Sequence, residues 1–250
     1  MPYLDNNLVL DSAALGSAIT ATALTTNYID ATTALRDLAR GKNMYALFTV
    51  EVAATATTAG QLELQVVSLP VTTLAGLTST APTMEADDDI VTWTAHGLPA
   101  GTPVVVTAIT GGSGGNLTAS RPYYVSAGAT LTTNGFRLAT TPGLALAGAP
   151  DVTITADATA MTITVIPQIL GTSGNLTPSM LTVGSQIAVR LNHPMLHNIE
   201  SQRQISLPNF RYMFGRYVVT GTIAAVEFRV ELVEGEPDGL KFYPSGFTIS

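Results

Sequence analysis

Cysteine is absent from this 250-residue chain, and lysine nearly so, with only Lys42 and Lys241. Without thiols there is no disulfide framework and no thiolate metal site, and cysteine usage says nothing of the redox compartment. Charged residues make up 12% of the chain, about half the share usual in soluble domains. Their balance is acidic, with a net charge of −7. That argues against nucleic-acid binding, because neutralising phosphates takes clustered Lys and Arg. The single tryptophan, Trp93, argues against a sugar cleft walled by aromatic platforms. No apolar run is long enough to span a bilayer. Met1-Pro2-Tyr3-Leu4-Asp5 has neither a charged n-region nor an apolar core, so no secretory signal and synthesis in a cytoplasm are expected. No Gly-x-Ser-x-Gly elbow, phosphate loop or dinucleotide fingerprint occurs, and the chain reads as a protein without enzymatic activity or cofactor. Paired carboxylates for glycoside hydrolysis depend on spatial separation, on which the sequence is silent.

What fills the gap is Thr, Ala and Gly in a β pattern. Met44, Ala46, Phe48, Val50 and Val52 mark one face of a strand. Leu62, Leu64 and Val66 mark another, with Gln61, Glu63 and Gln65 facing the other way. Alternation of period two predicts half-buried antiparallel strands. From about residue 79 to 166 the texture changes to short β runs at 90–94, 103–109, 122–126, 135–139, 151–155 and 161–166, separated by Gly-rich turns. Six short strands with regular turns predict a small sandwich or barrel. Within it, Gly97 and Gly101 supply positive φ while Pro99 and Pro103 fix φ. After 166 the first texture returns, with strands at 186–191 and 210–220. A turn at Gly221 then leads into Val226, Phe228, Val230 and Leu232, alternating with Glu227, Arg229 and Glu231; a final hairpin is expected there. Residues 30–41 fit either one helical turn capped by Asp30 or a structured loop. The expected fold class is all-β: a jelly-roll or β-sandwich body over 1–80 and 166–250, carrying an inserted β domain over 81–165 that projects outward.

Few residues stand out chemically. Asp87-Asp88-Asp89 with Glu85 offers carboxylates for a hard cation, but adjacent strand residues point apart and no cation-loop spacing follows, so a solvated turn is expected rather than a metal site. His193 and His197 have the i, i+4 spacing of zinc ligands. Pro194 breaks the helix that spacing needs and no Glu lies between them, so they read as loop residues. His96 is expected to brace its Gly/Pro turn by hydrogen bonds. One cluster rises above this background. Arg190, Arg203, Arg211 and Arg216 interleave with Phe210, Tyr212, Phe214 and Tyr217. Arg and Tyr are enriched at protein interfaces, where stacking and bidentate pairing act together. The candidate protein interface is therefore Arg203, Arg211, Tyr212, Arg216 and Tyr217. The competing reading puts the aromatics in the core and the arginines at a sandwich edge.

The outer segments also carry a resemblance. Thr25-Thr26-Asn27-Tyr28-Ile29-Asp30, Arg36-Asp37-Leu38-Ala39-Arg40-Gly41 and Tyr45-Ala46-Leu47-Phe48 resemble the start of tailed-bacteriophage capsid cement (decoration) proteins. Pro208-Asn209-Phe210-Arg211-Tyr212, the strand at 223–233 and Tyr243-Pro244-Ser245-Gly246-Phe247 resemble that family's end. The middle segment, with His96-Gly97-Leu98, Tyr123-Tyr124-Val125 and Phe136-Arg137-Leu138-Ala139, is similar to a small β module of phage structural proteins. The resemblance implies a jelly-roll that sits on the outer surface of the virion and binds the major capsid protein and copies of itself, as a dimer rather than a trimer, with no nucleic acid, membrane or cofactor. The alternative is a receptor- or carbohydrate-binding virion protein with the inserted domain as its active part.

Overall fold

The computed structural model describes residues 9–11, 18–30, 44–54, 60–70, 78–112, 116–191, 212–223 and 225–234. The chain is almost wholly β, in antiparallel sheets, as an all-β sandwich protein. It divides into two compact units: Met1–Ser68 with Ile169–Ser206 and Met213–Ser250, and Leu69–Gln168 with Leu207–Tyr212. The chain thus leaves the first unit after Ser68 and rejoins it at Ile169, so the first junction falls earlier than the change of texture near residue 80.

In chain order, the first unit opens with β1 (Val9–Asp11), β2 (Ala23–Leu24), β3 (Ile29–Asp30), β4 (Met44–Val52) and β5 (Gln61–Leu69). The second unit holds β6 (Thr78–Ser79), β7 (Thr83–Glu85), β8 (Ile90–Thr92), β9 (Pro103–Thr110), β10 (Pro122–Val125), β11 (Gly135–Phe136), β12 (Leu138–Ala139), helix α1 (Pro142–Leu146) and β13 (Ala160–Val165). The chain returns as β14 (Gln168–Leu176), β15 (Gln186–Arg190), β16 (Tyr212–Thr220) and β17 (Glu227–Glu234).

The first unit is a two-sheet sandwich. One sheet runs β1-β17-β4-β15 and the other β14-β5-β16-β2, with β3 also paired to β16. Taking β2 and β3 as one interrupted strand gives eight strands, numbered along the unit as 1-8-3-6 in one sheet and 5-4-7-2 in the other. That order is a jelly roll. Its core follows from alternation: Met44, Ala46, Phe48 and Val50 of β4 are buried and their neighbours half-exposed, while Leu62, Leu64 and Val66 of β5 are sealed. The sheets meet through aromatics. Tyr217 of β16 stacks on Phe228 of β17 at 5.6 Å, and Phe48 of β4 stands edge-on to both at 6.3 and 6.2 Å.

This arrangement overturns the expected final hairpin. β16 and β17 are consecutive, yet β16 pairs within the β5 sheet while β17 pairs with β1 and β4. The chain crosses from one sheet to the other at 221–226. Period-two alternation states which face a strand buries, and both strands satisfy it by opposing each other across the core.

The second unit holds a five-stranded sheet, β12-β10-β9-β13-β6, and a three-stranded sheet, β11-β8-β7. The run at 135–139 is not one strand: Arg137 divides it into β11 and β12, which belong to different sheets. The segment 151–155 is not a strand at all, although Val152 and Ile154 point inward as alternation demands. Its polar groups are met by side chains instead of a ladder. Ile154 N–H donates to Asp89 Oδ1 at 2.6 Å, and the Asp151 carboxylate accepts from the Thr140 N–H and hydroxyl. Helix α1 begins where Thr141 Oγ1 accepts the Leu144 N–H at 3.3 Å with Pro142 opening the first turn, a start signal present in the sequence.

Candidate interaction surface

Strand β16 was the focus of the sequence analysis, and its alternation sorts its side chains between two environments. Met213, Gly215 and Tyr217 face the core; Tyr212, Phe214, Arg216 and Val218 alternate onto the other face, where Phe214 is nonetheless buried. Tyr217 is a correction to the expected interface. It is 1% exposed, and its hydroxyl donates to the buried Asp11 carboxylate at 2.8 Å, so it is a core residue that no partner can touch. Burial, the charge of Asp11 and that hydrogen bond push its phenol far above the usual tyrosine range.

The outer face does present a polar and aromatic row. Tyr28, 45% exposed, tilts over Phe214 with ring centres 5.5 Å apart. Tyr212 and Arg216 are half-buried. Arg216 Nη1 donates to Gln65 Oε1 at 3.3 Å, and Thr172 Oγ1 donates to Glu63 Oε1 at 2.5 Å. Thr172, Glu63, Gln65 and Arg216 therefore form a row across β14, β5 and β16. The Thr172 hydroxyl, then Gln65 and the Arg216 charge, hold the Glu63 carboxyl below the usual carboxylate range against a smaller effect of burial. Burial pulls Arg216 below the usual guanidinium range, and Glu63 opposes it. Arg216 thus has one acceptor on its own chain, Gln65, and the charge of Glu63 nearby. Arg203 and Arg211, and with them His193 and His197, lie outside the described residues.

On the other sheet of this unit, Arg229 of β17 forms an ion pair with Glu231, itself largely buried. Sequence reasoning missed this pair because i and i+2 on one strand share a face but need not touch. It also missed Tyr28, which only the pairing of β3 with β16 brings beside Phe214.

In the second unit, the Asp87–Asp89 stretch is the turn joining β7 to β8. Asp89 has φ 55° and its carboxylate is spent on Ile154 N–H. Among the described residues, no group of His, Asp and Glu could hold a metal ion. His96 is buried, and Nδ1 accepts the Leu98 N–H at 2.9 Å, the turn-bracing bond that the sequence analysis expected. Gly97 and Gly101 have φ 60° and 81°. Compared with protein-family models, curated proteins and solved structures, the chain matches none.

Proposed function

We propose that this chain is a structural virion protein, a capsid cement that binds the outside of a phage head and bridges neighbouring copies of the major capsid protein. The observation that carries the reading is the eight-strand jelly roll assembled from the two outer segments, with an entire second unit interposed between β5 and β14. Of the segments that carry the resemblance, two are described on that body, Thr25-Thr26-Asn27-Tyr28-Ile29-Asp30 leading through β3 and Tyr45-Ala46-Leu47-Phe48 in β4, together with the strand β17. Cementing requires rigidity and several modest contacts more than any one strong one, since each added contact acts at high effective concentration. The outer face of the first unit carrying Tyr28 and Arg216 is the docking face in this reading. A guanidinium on that face gives a chain of net charge −7 a cationic point at which to meet an acidic partner.

The test is occupancy on purified heads stripped of the wild-type protein. Saturable rebinding is expected, and Arg216→Ala should fold with at most a small drop in melting temperature yet release faster, by about 2 kcal/mol in affinity or more. Failure of the wild-type chain to bind heads would overturn the reading. Binding to host cells or glycans in its place would identify a receptor- or carbohydrate-binding protein.

A further inference from the structure

The second unit has a histidine at its centre that the proposed function does not use. His96 is 1% exposed, with Phe136 edge-on at 4.9 Å and Trp93 tilted at 6.4 Å. Nδ1 accepts the Leu98 N–H, which places the imidazole proton on Nε2; Nε2 is buried and makes no well-formed hydrogen bond, with the Gly135 and Thr132 carbonyls the polar groups that act on the ring. The backbone at the same place docks one segment on another. His96 N–H donates to the Thr133 carbonyl at 3.2 Å, Trp93 N–H to the Asn134 carbonyl at 2.9 Å, and Ala95 N–H to Asn134 Oδ1 at 2.9 Å. The 93–98 turn is therefore held on the 132–136 segment, with the imidazole beneath it.

We propose that His96 is an acid-released latch of the second unit: the neutral ring holds the 93–98 turn on the 132–136 segment, and protonation opens it. The imidazolium has donors on both nitrogens. The Leu98 N–H then loses its acceptor and faces another N–H, while a charge is placed in a buried site beside the Phe136 and Trp93 rings. The influences on the ring's charge are burial, which disfavours the cation, and the Gly135 and Thr132 carbonyls, which act in the opposite sense. No charged side chain is among them.

The sign follows from linkage. Burial puts the folded-state pKa below 6.5, so the unfolded chain takes the proton first. The unit keeps its full stability above that value. Below it, the folded-to-unfolded ratio falls about tenfold per pH unit until the folded-state pKa is reached.

The chain supplies its own probe, because Trp93 is the single tryptophan and it lies in this unit. The experiment uses the full chain carrying His193→Ala and His197→Ala, which leaves His96 as the sole histidine. Denaturant unfolding is followed by Trp93 fluorescence between about pH 7.5 and 5.0, with and without His96→Asn, whose amide oxygen can replace Nδ1 as acceptor for Leu98. The expected result is a loss of stability that sets in below about pH 6.5, steepens to no more than tenfold per pH unit, and is abolished by His96→Asn. Equal pH dependence in both proteins, or none in the parent, would overturn the proposal. Should the Asn variant not fold, NMR titration of the His96 ring in the parent decides. A folded-state signal that stays neutral below pH 6.5 supports the latch. Titration at 6.5 or above with unchanged Trp93 emission removes it.

Discussion

Inside the first unit the Tyr217 hydroxyl reaches the Asp11 carboxylate at 2.8 Å, a buried bond between strands on opposite sheets. A carboxylate that is 6% exposed needs its donors, because an unsatisfied buried acceptor keeps its desolvation penalty. Tyr217→Phe preserves the stacking on Phe228 and the edge contact with Phe48 but removes that donor. A loss of about 1–3 kcal/mol is expected in denaturant unfolding of the full chain, with the native fold retained. No change would mean that the other contacts of Asp11 suffice. Arg216 on the same strand points the opposite way, to Gln65 and Glu63, and because its removal takes a donor from a buried but uncharged acceptor, a smaller loss than for Tyr217→Phe is expected. The two variants separate what the core needs from what a docking face needs.

Among the elements, the crossing from β16 to β17 is the decisive join, because it moves the chain from one sheet to the other. It is packed closely at Gly60, just before β5. A Cβ there would lie 2.1 Å from the Thr222 carbonyl oxygen and 2.9 Å from Ile223 Cγ1, with backbone on the near side. Gly60→Ala must therefore displace the crossing itself. A destabilisation of about 1–3 kcal/mol is expected, read as a lower midpoint of thermal or denaturant unfolding. A neutral outcome would show that the crossing shifts freely. The segment at 151–155 gives the complementary lesson. Its apolar residues obey strand alternation, yet Asp89 and Thr140 take up its polar groups in place of a neighbouring strand.

At the level of the whole molecule, the second unit leaves from the end of β5 and the chain rejoins at β14, and these two strands are hydrogen-bonded neighbours. Ser173 Oγ accepts the Leu64 N–H at 3.0 Å along the same pair. A loop between adjacent strands closes at small entropic cost, so the body does not depend on what the loop contains. Removing residues 70–167 and rejoining the chain with a short Gly/Ser linker is expected to leave a body that unfolds cooperatively. The check is calorimetry or circular dichroism of the purified body. A non-cooperative transition would show that the two units fold only together.

Three things are legible in the residues alone: which side of each long strand is buried, where the turns at Gly97 and Gly101 fall, and that the two outer segments share a texture the middle lacks. These are local properties, carried by a period of two and by residues that alone tolerate a given φ. Long-range packing sets the rest: which strands pair, that β16 and β17 lie on opposite sheets, that Tyr217 belongs to the core while Arg216 stays on the outer face, and that Tyr28 meets Phe214. The physical reason is that alternation labels a face but not the partner across it. Partners are chosen by contacts between residues far apart in the chain, as Asp11 and Tyr217 are.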